Sequence, residues 1–445
     1  MLETKTSPDT EAGTCAFLTF GCKINYYDTE ALRDSVLDLG YREVAPNDSA
    51  DLYVINSCTV TGNAGEKSTA AVRRLARRNP EATIVVTGCM TDEDRTALAA
   101  IPGVVHVIGN EEKDQIPALL QGAERQRRKG RRGWNLVDLR TRRFVARTRA
   151  FLKIHDGCDE FCSYCVIPHM RGRSTSRPWR AVVEEAQELA DSGHRELVLT
   201  GIHLSRYGRD LTATDRGRGS LTGLLDELRR VDGIERIRLS SIGEGAFSDE
   251  FVALFREDPT FCRFFHIPLQ SGSDAVLQRM RRDYSVAEYM ATIDRVREQL
   301  PDAFVSTDLM IGFPGETEAE FEESLATCRR AAFASMHLFP YSARPKTRAA
   351  QLPGHLAPSV KEERMRRARE VEAQLARQAR TGVAGSQLDV LVESHKDGWA
   401  SGLSREGWRV RFAAAAETAN LRNHECRVRI DDASETPLLG SWERP

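Results

Sequence analysis

The sequence lacks any apolar run that approaches the roughly 20 residues of a membrane-spanning helix. It also lacks the basic and apolar start of a signal or transit peptide, because its first residues read MLETKTSPDTEAG. A net charge of only −2 over 445 residues gives no indication of an acidic or a basic partner. No internal repeat is visible. We therefore expect a cytoplasmic protein with no membrane partner, made of roughly two to four globular domains.

Cysteine and positive charge are present, and both are unevenly distributed. The chain has ten cysteines, which in a cytoplasmic protein predict metal ligands and buried thiols rather than a disulfide framework. From Arg125 to Arg149 there are eleven Lys or Arg residues and one acidic residue, Asp138. This stretch is either an ordinary solvated surface or, because of its local density, a phosphate-binding arm between domains.

Three regions differ in their apolar pattern. In the first, buried-strand patterns alternate with amphipathic stretches, which predicts a doubly wound α/β domain. The second has six strand patterns, each followed by a helical pattern (the longest near 274–299), and predicts an open, partial (β/α)6 barrel. The third, from about Gly382, alternates apolar and polar residues and predicts a small antiparallel β-barrel. The predicted boundaries are 13–124, 148–380 and 381–442, with a basic linker at 125–147.

Three cysteines, Cys158, Cys162 and Cys165, follow the first predicted barrel strand as C-x-x-x-C-x-x-C. Clustered thiolates bind zinc or an iron–sulfur cluster. Zinc needs a fourth ligand, which His155 or His169 could provide. A four-iron cluster on three cysteines would leave one iron open to a substrate or cofactor, at the strand ends where barrel active sites lie. Inert or redox-active thiols are the third alternative.

Three further cysteines, Cys22, Cys58 and Cys89, each end a predicted strand, in LTFGC, VINSC and VVTGC. The carboxyl ends of parallel strands share one edge of a sheet, so these thiols could converge at one crevice. Any one of them alone would suit a buried packing residue, but three equivalent positions favour a second three-cysteine site. The other cysteines have no such position and are predicted to pack in the core: Cys15, Cys262, Cys328 and Cys426.

The C-x-x-x-C-x-x-C motif, with Tyr164 before its last cysteine, resembles the radical S-adenosylmethionine (SAM) superfamily, and the whole layout resembles its methylthiotransferase family. Further stretches that carry this resemblance are TGIHLSRYGRD (200–210), HIPLQSGSDAVLQRMRRDY (266–284), TDLMIGFPGETEAEF (307–321) and HLFPYSARPKTRAA (337–350). The resemblance implies two [4Fe–4S] clusters, one on each cysteine triplet, with SAM as cofactor, and a C-terminal β domain of the TRAM type. It assigns no catalytic side chain beyond the cluster ligands, since the deoxyadenosyl radical would abstract hydrogen.

Five residues are candidate contacts of SAM. The resemblance places Tyr164 beside the adenine of SAM. The other four end barrel strands on the side of the cysteine motif, where each would also suit an ordinary strand end: Thr200, Gly201, Ser240 and Gln270. His203 and His266 fit a ligand role or a structural role equally.

The resemblance also implies a substrate. Two branches of the family act on adenosine 37 of tRNA, bearing an N6-isopentenyl or an N6-threonylcarbamoyl group, and a third acts on an aspartate of a ribosomal protein. GCKINYYDTE (21–30) and INSCTVTGNAGEKSTAAVRR (55–74) resemble the threonylcarbamoyl branch most. We therefore expect methylthiolation at C2 of threonylcarbamoyladenosine 37, by radical sulfur insertion and SAM-dependent methylation, with the other two substrates as alternatives.

The same resemblance implies three partners: a tRNA anticodon stem-loop, an electron donor of the flavodoxin or ferredoxin type, and an unidentified sulfur donor. Two stretches depart from the family. SSIGEG (240–245) stands where members often have Ser-Ile-Glu-Pro, and Arg344-Pro-Lys-Thr stands where they tend to have Arg-x-Gly-Thr. The first departure puts contacts near the predicted SAM site in question.

Overall fold

The computed structural model describes residues 13–58, 62–126, 139–142, 144, 147–212, 218–414 and 420–442. Its contacts divide the chain into two compact units. One comprises the residues up to Arg142 together with His169–Gly172, and the other comprises Arg143–Pro168 and Arg173–Pro445. Among the described residues, no helix combines the length and the apolar character needed to cross a bilayer. Most of the predicted basic linker, residues 127–138, 143, 145 and 146, lies outside the described ranges.

The first unit is built on a five-stranded parallel sheet with the strand order β2-β1-β3-β4-β5. Its elements are β1 (Thr14–Thr19), α1 (Lys23–Leu37), β2 (Arg42–Glu43), β3 (Leu52–Cys58), α2 (Gly62–Arg78), β4 (Thr83–Cys89), α3 (Asp92–Ala99), β5 (Val104–Gly109) and, after a 3₁₀ turn at Asn110–Gln115, α4 (Ile116–Leu120). The short edge strand β2 was not predicted from the sequence.

Both faces of this sheet are covered by apolar side chains. Because successive residues of a strand point to opposite faces, Val54 packs in one apolar core with Leu32 of α1, whereas Tyr53 packs in another with Val72 of α2. Strand β3 is accordingly buried along its whole length. This arrangement confirms the doubly wound α/β prediction.

The second unit begins with a partial barrel. Its elements are β6 (Arg149–Lys153), β7 (His155–Asp156), α5 (Ile167–Arg171, whose end belongs to the first unit), β8 (Thr175–Ser176), α6 (Trp179–Asp191), β9 (Glu196–Thr200), α7 (Leu221–Leu228), β10 (Arg236–Leu239), α8 (Asp249–Glu257), β11 (Phe264–His266), α9 (Asp274–Met280), α10 (Val286–Gln299), β12 (Phe304–Ile311), α11 (Glu318–Ala331), β13 (Ser335–Pro340) and α12 (Pro358–Thr381).

Six of these strands run parallel in chain order. Strands β6, β9 and β10 form one sheet and β11, β12 and β13 another. Parallel bridges from Ile237 to Phe261 and from Ser241 to His266 join the two sheets. The predicted six-unit open barrel is therefore confirmed.

The helical pattern at 274–299 is not one helix, and in this the sequence prediction was wrong. Arg281 has a left-handed backbone with φ of 59°, which ends α9. Ser285 then begins α10 with a capping box, in which its hydroxyl accepts from the amide of Glu288 and the Glu288 carboxylate accepts from the amide of Ser285. The turn between the two helices carries Arg282.

A closed five-stranded barrel forms the end of the second unit, with strand order β14-β15-β16-β18-β17. Its strands are β14 (Gln387–Lys396), β15 (Trp399–Ser404), β16 (Arg409–Ala413), β17 (Glu425–Asp432) and β18 (Leu438–Trp442). The predicted β-barrel is confirmed, although β16 and β18 pair in parallel where the sequence led us to expect antiparallel pairing throughout. Strands β15 and β18 were not predicted, because WASGLS and LLGSW lack a clean alternation of apolar and polar residues.

The C-terminal barrel is seated on the amino ends of the partial-barrel strands. Arg236, the first residue of β10, donates to the carbonyl oxygen of Leu403 at 3.0 Å and to the Glu425 carboxylate at 2.9 Å. The ring of Phe304, the first residue of β12, lies 4.7 Å from that of Trp408, edge to face. Apolar and ionic contacts therefore both fix this module to the partial barrel.

Candidate cluster-binding and active sites

The first unit brings Cys22, Cys58 and Cys89 together. Cys58 and Cys89 end β3 and β4 and are register partners, so they lie side by side at one edge of the sheet. Cys22 precedes α1 and follows Gly21, whose φ is 100°. A Cβ atom on Gly21 would lie 2.6 Å from Cβ and 2.8 Å from Sγ of Cys58. The chain that carries Cys22 thus passes in direct contact with Cys58.

Buried donors surround the sulfur of Cys89. Arg171 donates from Nε to this Sγ at 3.2 Å and Asn110 donates from Nδ2 at 3.3 Å. Nearby, Lys113 and Asp28 form an ion pair of 2.6 Å whose side chains are both fully buried. A guanidinium and an amide that donate to a cysteine sulfur suit a sulfur bound to iron, because such hydrogen bonds stabilise the negative charge of a cluster. This donor set fits an iron–sulfur cluster on the first unit.

In the second unit, the loop after β7 holds Cys158, Cys162 and Cys165. The amide of Cys165 donates to the carbonyl oxygen of Cys162 at 3.0 Å, and Phe161 adopts a left-handed backbone with φ of 48°. Burial raises the pKa of Cys158 to about 11 and that of Cys165 to about 12, and the neighbouring sulfurs add to both shifts. These two sulfurs are therefore thiols at neutral pH in the metal-free protein, and a metal that binds them has to displace their protons.

A histidine that could complete a zinc site has another neighbour. His155, a candidate fourth ligand, lies 2.8 Å from the hydroxyl of Ser174 through its Nε2. Among the described residues, the His, Cys, Asp and Glu side chains that place three ligand atoms within 4.8 Å of one another are His266, Asp308 and His337.

Arg282 is a functional candidate that the sequence prediction missed. It donates from Nη1 to Sγ of Cys162 at 3.3 Å, and its guanidinium lies 4.8 Å from the ring centre of Tyr284. A capping-box pattern, Ser285-x-x-Glu288, was the signal in the sequence that could have revealed the helix break and the turn that holds Arg282.

The predicted SAM contacts fall into two groups. Ser240 Oγ and Gln270 Oε1 are buried and have no hydrogen-bond partner among the described residues. Since such atoms are costly unless a ligand or water satisfies them, both fit a bound polar cofactor. Tyr164 packs against an apolar group that includes Met310.

Thr200 and Gly201 have structural explanations. The carbonyl oxygen of Thr200 accepts from the amide of Ile154 at 2.9 Å. A Cβ atom on Gly201 would lie 2.9 Å from Cβ of His155, so packing alone requires glycine there. Neither contact requires bound SAM or excludes it. The assignment of all five residues as contacts of SAM therefore stays a prediction.

A cavity of about 350 Å³ opens beside Cys158 and is lined by polar and charged side chains, among them Glu160, His203 and Arg206. Burial, followed by the charges of Arg206 and Arg282, lowers the pKa of His203 to about 3, so this imidazole is neutral at physiological pH. The SSIGEG departure lies here: a Cβ atom on Gly243 would stand 3.2 Å from Cε1 of His203. The absence of a side chain at Gly243 therefore leaves space for the imidazole ring of His203.

Comparisons with known proteins agree with this architecture. Residues 152–328 match the radical SAM superfamily model, and residues 14–109 match the model described as uncharacterized protein family UPF0004. The threonylcarbamoyladenosine tRNA methylthiotransferase of Bacillus subtilis is 37% identical over 85% of this chain and 85% of its own length. The protein of the same name from Chlamydia pneumoniae is 33% identical over 96% of this chain and 98% of its own length.

The chain belongs to the radical-SAM methylthiotransferase family.

Two further comparisons bear on the branch and on the fold. A tRNA-2-methylthio-N(6)-dimethylallyladenosine synthase from a Mycobacterium species is 35% identical over 97% of this chain and 87% of its own length. The structure of a radical SAM methyltransferase from Kitasatospora setae, TsrM, covers 76% of this chain and 74% of its own chain with a TM-score of 0.54 at 16% identity, which shows a shared fold. As expected for a radical-SAM methylthiotransferase, the cofactors are [4Fe–4S] clusters and SAM.

Proposed function

We propose that this methylthiotransferase adds a methylthio group to C2 of N6-threonylcarbamoyladenosine at position 37 of tRNA, in the cytoplasm. The observation that carries the proposal is the presence of two separate cysteine triplets, each with a guanidinium donating to one of its sulfurs. Two such sites match a reaction that needs both radical initiation and a source of sulfur. The relatives from Bacillus subtilis and Chlamydia pneumoniae, named for threonylcarbamoyladenosine, support this substrate.

The site beside Cys158, Cys162 and Cys165 would bind SAM. When a [4Fe–4S] cluster is bound there, it supplies the electron that cleaves SAM. Ser240 Oγ and Gln270 Oε1, both buried without partners among the described residues, offer polar contacts to the nucleoside or methionyl part of SAM. Tyr164 provides an aromatic face next to the cysteines.

The C-terminal barrel offers a surface for RNA. Arginines alternate with buried residues along β16 and β17, so Arg409, Arg411, Arg427 and Arg429 point outward. The guanidinium of Arg411 lies 4.3 Å from the ring centre of Trp399, which is 40% exposed. Exposed guanidinium groups bind phosphates, and an exposed indole can stack on a base. The anticodon stem-loop is the proposed partner of this surface.

Anaerobic nucleoside mass analysis tests the proposal. Reconstituted protein, SAM and a reductant are incubated with tRNA that carries threonylcarbamoyl- or isopentenyladenosine. The tRNA is then digested, and the masses of its nucleosides are measured. We expect a methylthio gain on threonylcarbamoyladenosine alone. The dimethylallyladenosine synthase relative makes isopentenyladenosine the second candidate, and a gain only on that nucleoside would replace the proposed substrate. A flavodoxin- or ferredoxin-type protein is the proposed electron donor, and its addition in place of the chemical reductant should sustain turnover.

A further inference from the structure

Two histidines share one carboxylate oxygen inside the partial barrel. His266 Nε2 lies 3.1 Å and His337 Nδ1 lies 3.2 Å from Oδ1 of Asp308. The two imidazole rings are 4.9 Å apart. Three potential metal ligands, one from each of the strands β11, β12 and β13, therefore converge on one point. We call these residues the His–Asp–His group.

Strand register assembles the group and directs it into the barrel. Asp308 and His337 are register partners, and His266 is the register partner of Ser306, which lies two residues before Asp308 and so on the same face of the sheet. Thr307, between Ser306 and Asp308, lies 3.3 Å from a tyrosine hydroxyl of α10 and faces the surrounding helices. The His–Asp–His group therefore lies on the opposite face, which lines the interior of the partial barrel.

The far nitrogen of His266 is held by the protein. Nδ1 of His266 lies 2.9 Å from the hydroxyl oxygen of Ser306, and this hydroxyl donates to the carbonyl oxygen of Phe265 at 3.4 Å. The Ser306 oxygen therefore accepts from His266, and Nδ1 carries the proton. In the neutral imidazole, Nε2 is then an acceptor that faces a carboxylate oxygen of Asp308. Two acceptors 3.1 Å apart need a shared cation, which is either a proton or a metal ion.

The spacing and the ligand types suit a metal ion. Imidazole nitrogens and carboxylate oxygens bind zinc at about 2.0–2.2 Å, so two such ligands of one ion lie about 2.8–3.6 Å apart in tetrahedral or octahedral geometry. The distances of 3.1 and 3.2 Å fall within that range. Two imidazoles with one carboxylate form a ligand set typical of zinc and of other divalent transition metals. A hydrogen bond at the far nitrogen, such as that of His266 to Ser306, orients a metal-binding histidine.

We propose that the His–Asp–His group binds a divalent transition-metal ion, such as zinc, at a site separate from both cysteine triplets. The ligand atoms are Nε2 of His266, Oδ1 of Asp308 and Nδ1 of His337. A further contact at the other nitrogen of His337 agrees with this role, because metal-binding histidines commonly use both nitrogens. The His337 side chain is 66% exposed, whereas that of His266 is 7% exposed, so the ion enters from the side of His337.

The metal site lies one layer of side chains from the predicted SAM site. Met310 and Phe339 follow Asp308 and His337 on their strands by two residues, a rise of about 6.6 Å. Both belong to the apolar group against which Tyr164 packs. Three protein ligands leave a coordination position for water or for an oxygen atom of a substrate. That position is inside the partial barrel.

Two substitutions test the ligands. His337→Ala removes a ligand from the most exposed side chain of the group, so the fold should tolerate the change. Asp308→Asn keeps the shape of the carboxylate and removes its charge. His355→Ala is the matched control, because His355 is exposed and lies outside the His–Asp–His group. Both clusters are reconstituted in every preparation and iron contents are matched, so that the cysteines are occupied before zinc is added.

The first measurement is the binding of Zn²⁺. Each protein is dialysed against micromolar Zn²⁺, and the bound zinc is determined by mass spectrometry of the elements. We expect about one zinc ion per chain in the wild type and in His355→Ala. The affinity for zinc should be lower by about a hundredfold or more in His337→Ala and Asp308→Asn. Zinc should also raise the unfolding temperature of the first two proteins and leave that of the other two unchanged.

The second measurement is X-ray absorption at the zinc edge, which identifies the ligands in the wild type even where a variant does not fold. Nitrogen and oxygen ligands at about 2.0–2.1 Å support the proposal, whereas sulfur ligands at about 2.3 Å show that cysteines hold the zinc and overturn it. Two other outcomes also overturn it. In one, the wild type binds no zinc above background, so that a proton is the shared cation. In the other, His337→Ala with matched iron binds zinc as tightly as the wild type.

Discussion

Nη1 of Arg282 donates a hydrogen bond of 3.3 Å to Sγ of Cys162, from a turn that interrupts what the sequence presents as one continuous helix. Burial disfavours the charged guanidinium, but Tyr284, Tyr164 and Cys162 outweigh it and raise the pKa of Arg282, so the side chain stays cationic. A cation that donates to a cluster ligand stabilises the more negative, reduced state of the cluster.

Replacement of Arg282 should therefore lower the reduction potential of the cluster bound at Cys162. For Arg282→Gln we expect a decrease of the order of 60 mV, equivalent to about 1.4 kcal/mol for one electron. An EPR-monitored redox titration measures the reduction potential of this cluster in each variant. Arg281→Gln is the matched control, since Arg281 is adjacent and exposed. Equal potentials in both variants would show that Arg282 does not act on the cluster.

Loss of one cysteine of the first unit should remove one cluster and leave the other. Cys22→Ala is expected to reduce iron from about eight to about four atoms per chain, to abolish the methylthio product and to keep SAM cleavage. Cys15→Ala is the control, because Cys15 is fully buried in the core of β1. That control should keep its iron. Full iron content in Cys22→Ala would remove Cys22 from the ligand set.

Gly21 should be as necessary as the cysteines beside it. Gly21→Ala adds a Cβ atom only 2.6 Å from Cβ of Cys58, so the loop must move away from the cysteine edge and iron content should fall. Gly122→Ala imposes a similar left-handed strain, with φ of 87°, but its Cβ would meet nothing within 4 Å. A comparison of iron content in the two variants separates the effect of the contact with Cys58 from the effect of the left-handed backbone. Similar iron contents would show that the loop has room to adjust.

Glu196 should stabilise the second unit above acidic pH. This carboxylate is fully buried and accepts from Arg238 at 2.7 Å, with Arg236 Nε also 2.7 Å away. Burial disfavours its charge, but the three nearby guanidinium groups of Arg238, Arg236 and Arg149 outweigh this and lower its pKa to about 2.

The sign of the pH dependence follows from that shift. Because the folded-state pKa of Glu196 lies below its unfolded value, the contribution of Glu196 to the free energy of unfolding is fully present above about pH 5. That contribution, about 3 kcal/mol, is progressively lost as pH falls towards 2. Glu196→Gln should lower the free energy of unfolding by about 3–5 kcal/mol at pH 7, because it leaves buried guanidinium groups unpaired. Glu235→Gln, which breaks an exposed pair with Arg195, should cost at most about 1 kcal/mol. Chemical denaturation between pH 7 and pH 3 checks both, and a loss at Glu196 no greater than at Glu235 would contradict the account.

Local patterns predicted most of the strands, because a strand depends on short-range signals, whereas the cysteine sites stay predictions. The apolar runs before Cys58 and Cys89 identify two strands. In a parallel sheet the carboxyl ends of such strands lie at the same edge, and this does not depend on the rest of the chain. The break between α9 and α10 escaped prediction because apolar periodicity continues through it, and its one local signal was the capping-box pattern Ser285-x-x-Glu288.

Relationships between distant residues could not be read from the sequence. Arg171 meets Cys89 across 82 residues, and His266 meets His337 only because β11 and β13 flank β12. His266 was considered singly, and a single histidine gives no indication of a partner. Asp308 and His337 carry no local motif, so their convergence follows from strand order and register rather than from spacing.

The side chains that close the amino end of the partial barrel come from another module. Trp408 covers Phe304, and the carbonyl oxygens of Leu403 and Ser404 satisfy Arg236 and Arg238. Removal of the C-terminal barrel would leave two buried guanidinium groups and an aromatic surface in water. This module is therefore part of the fold of the second unit: a chain truncated before β14 would expose Phe304 and remove acceptors from Arg236 and Arg238 at the start of the partial-barrel strands.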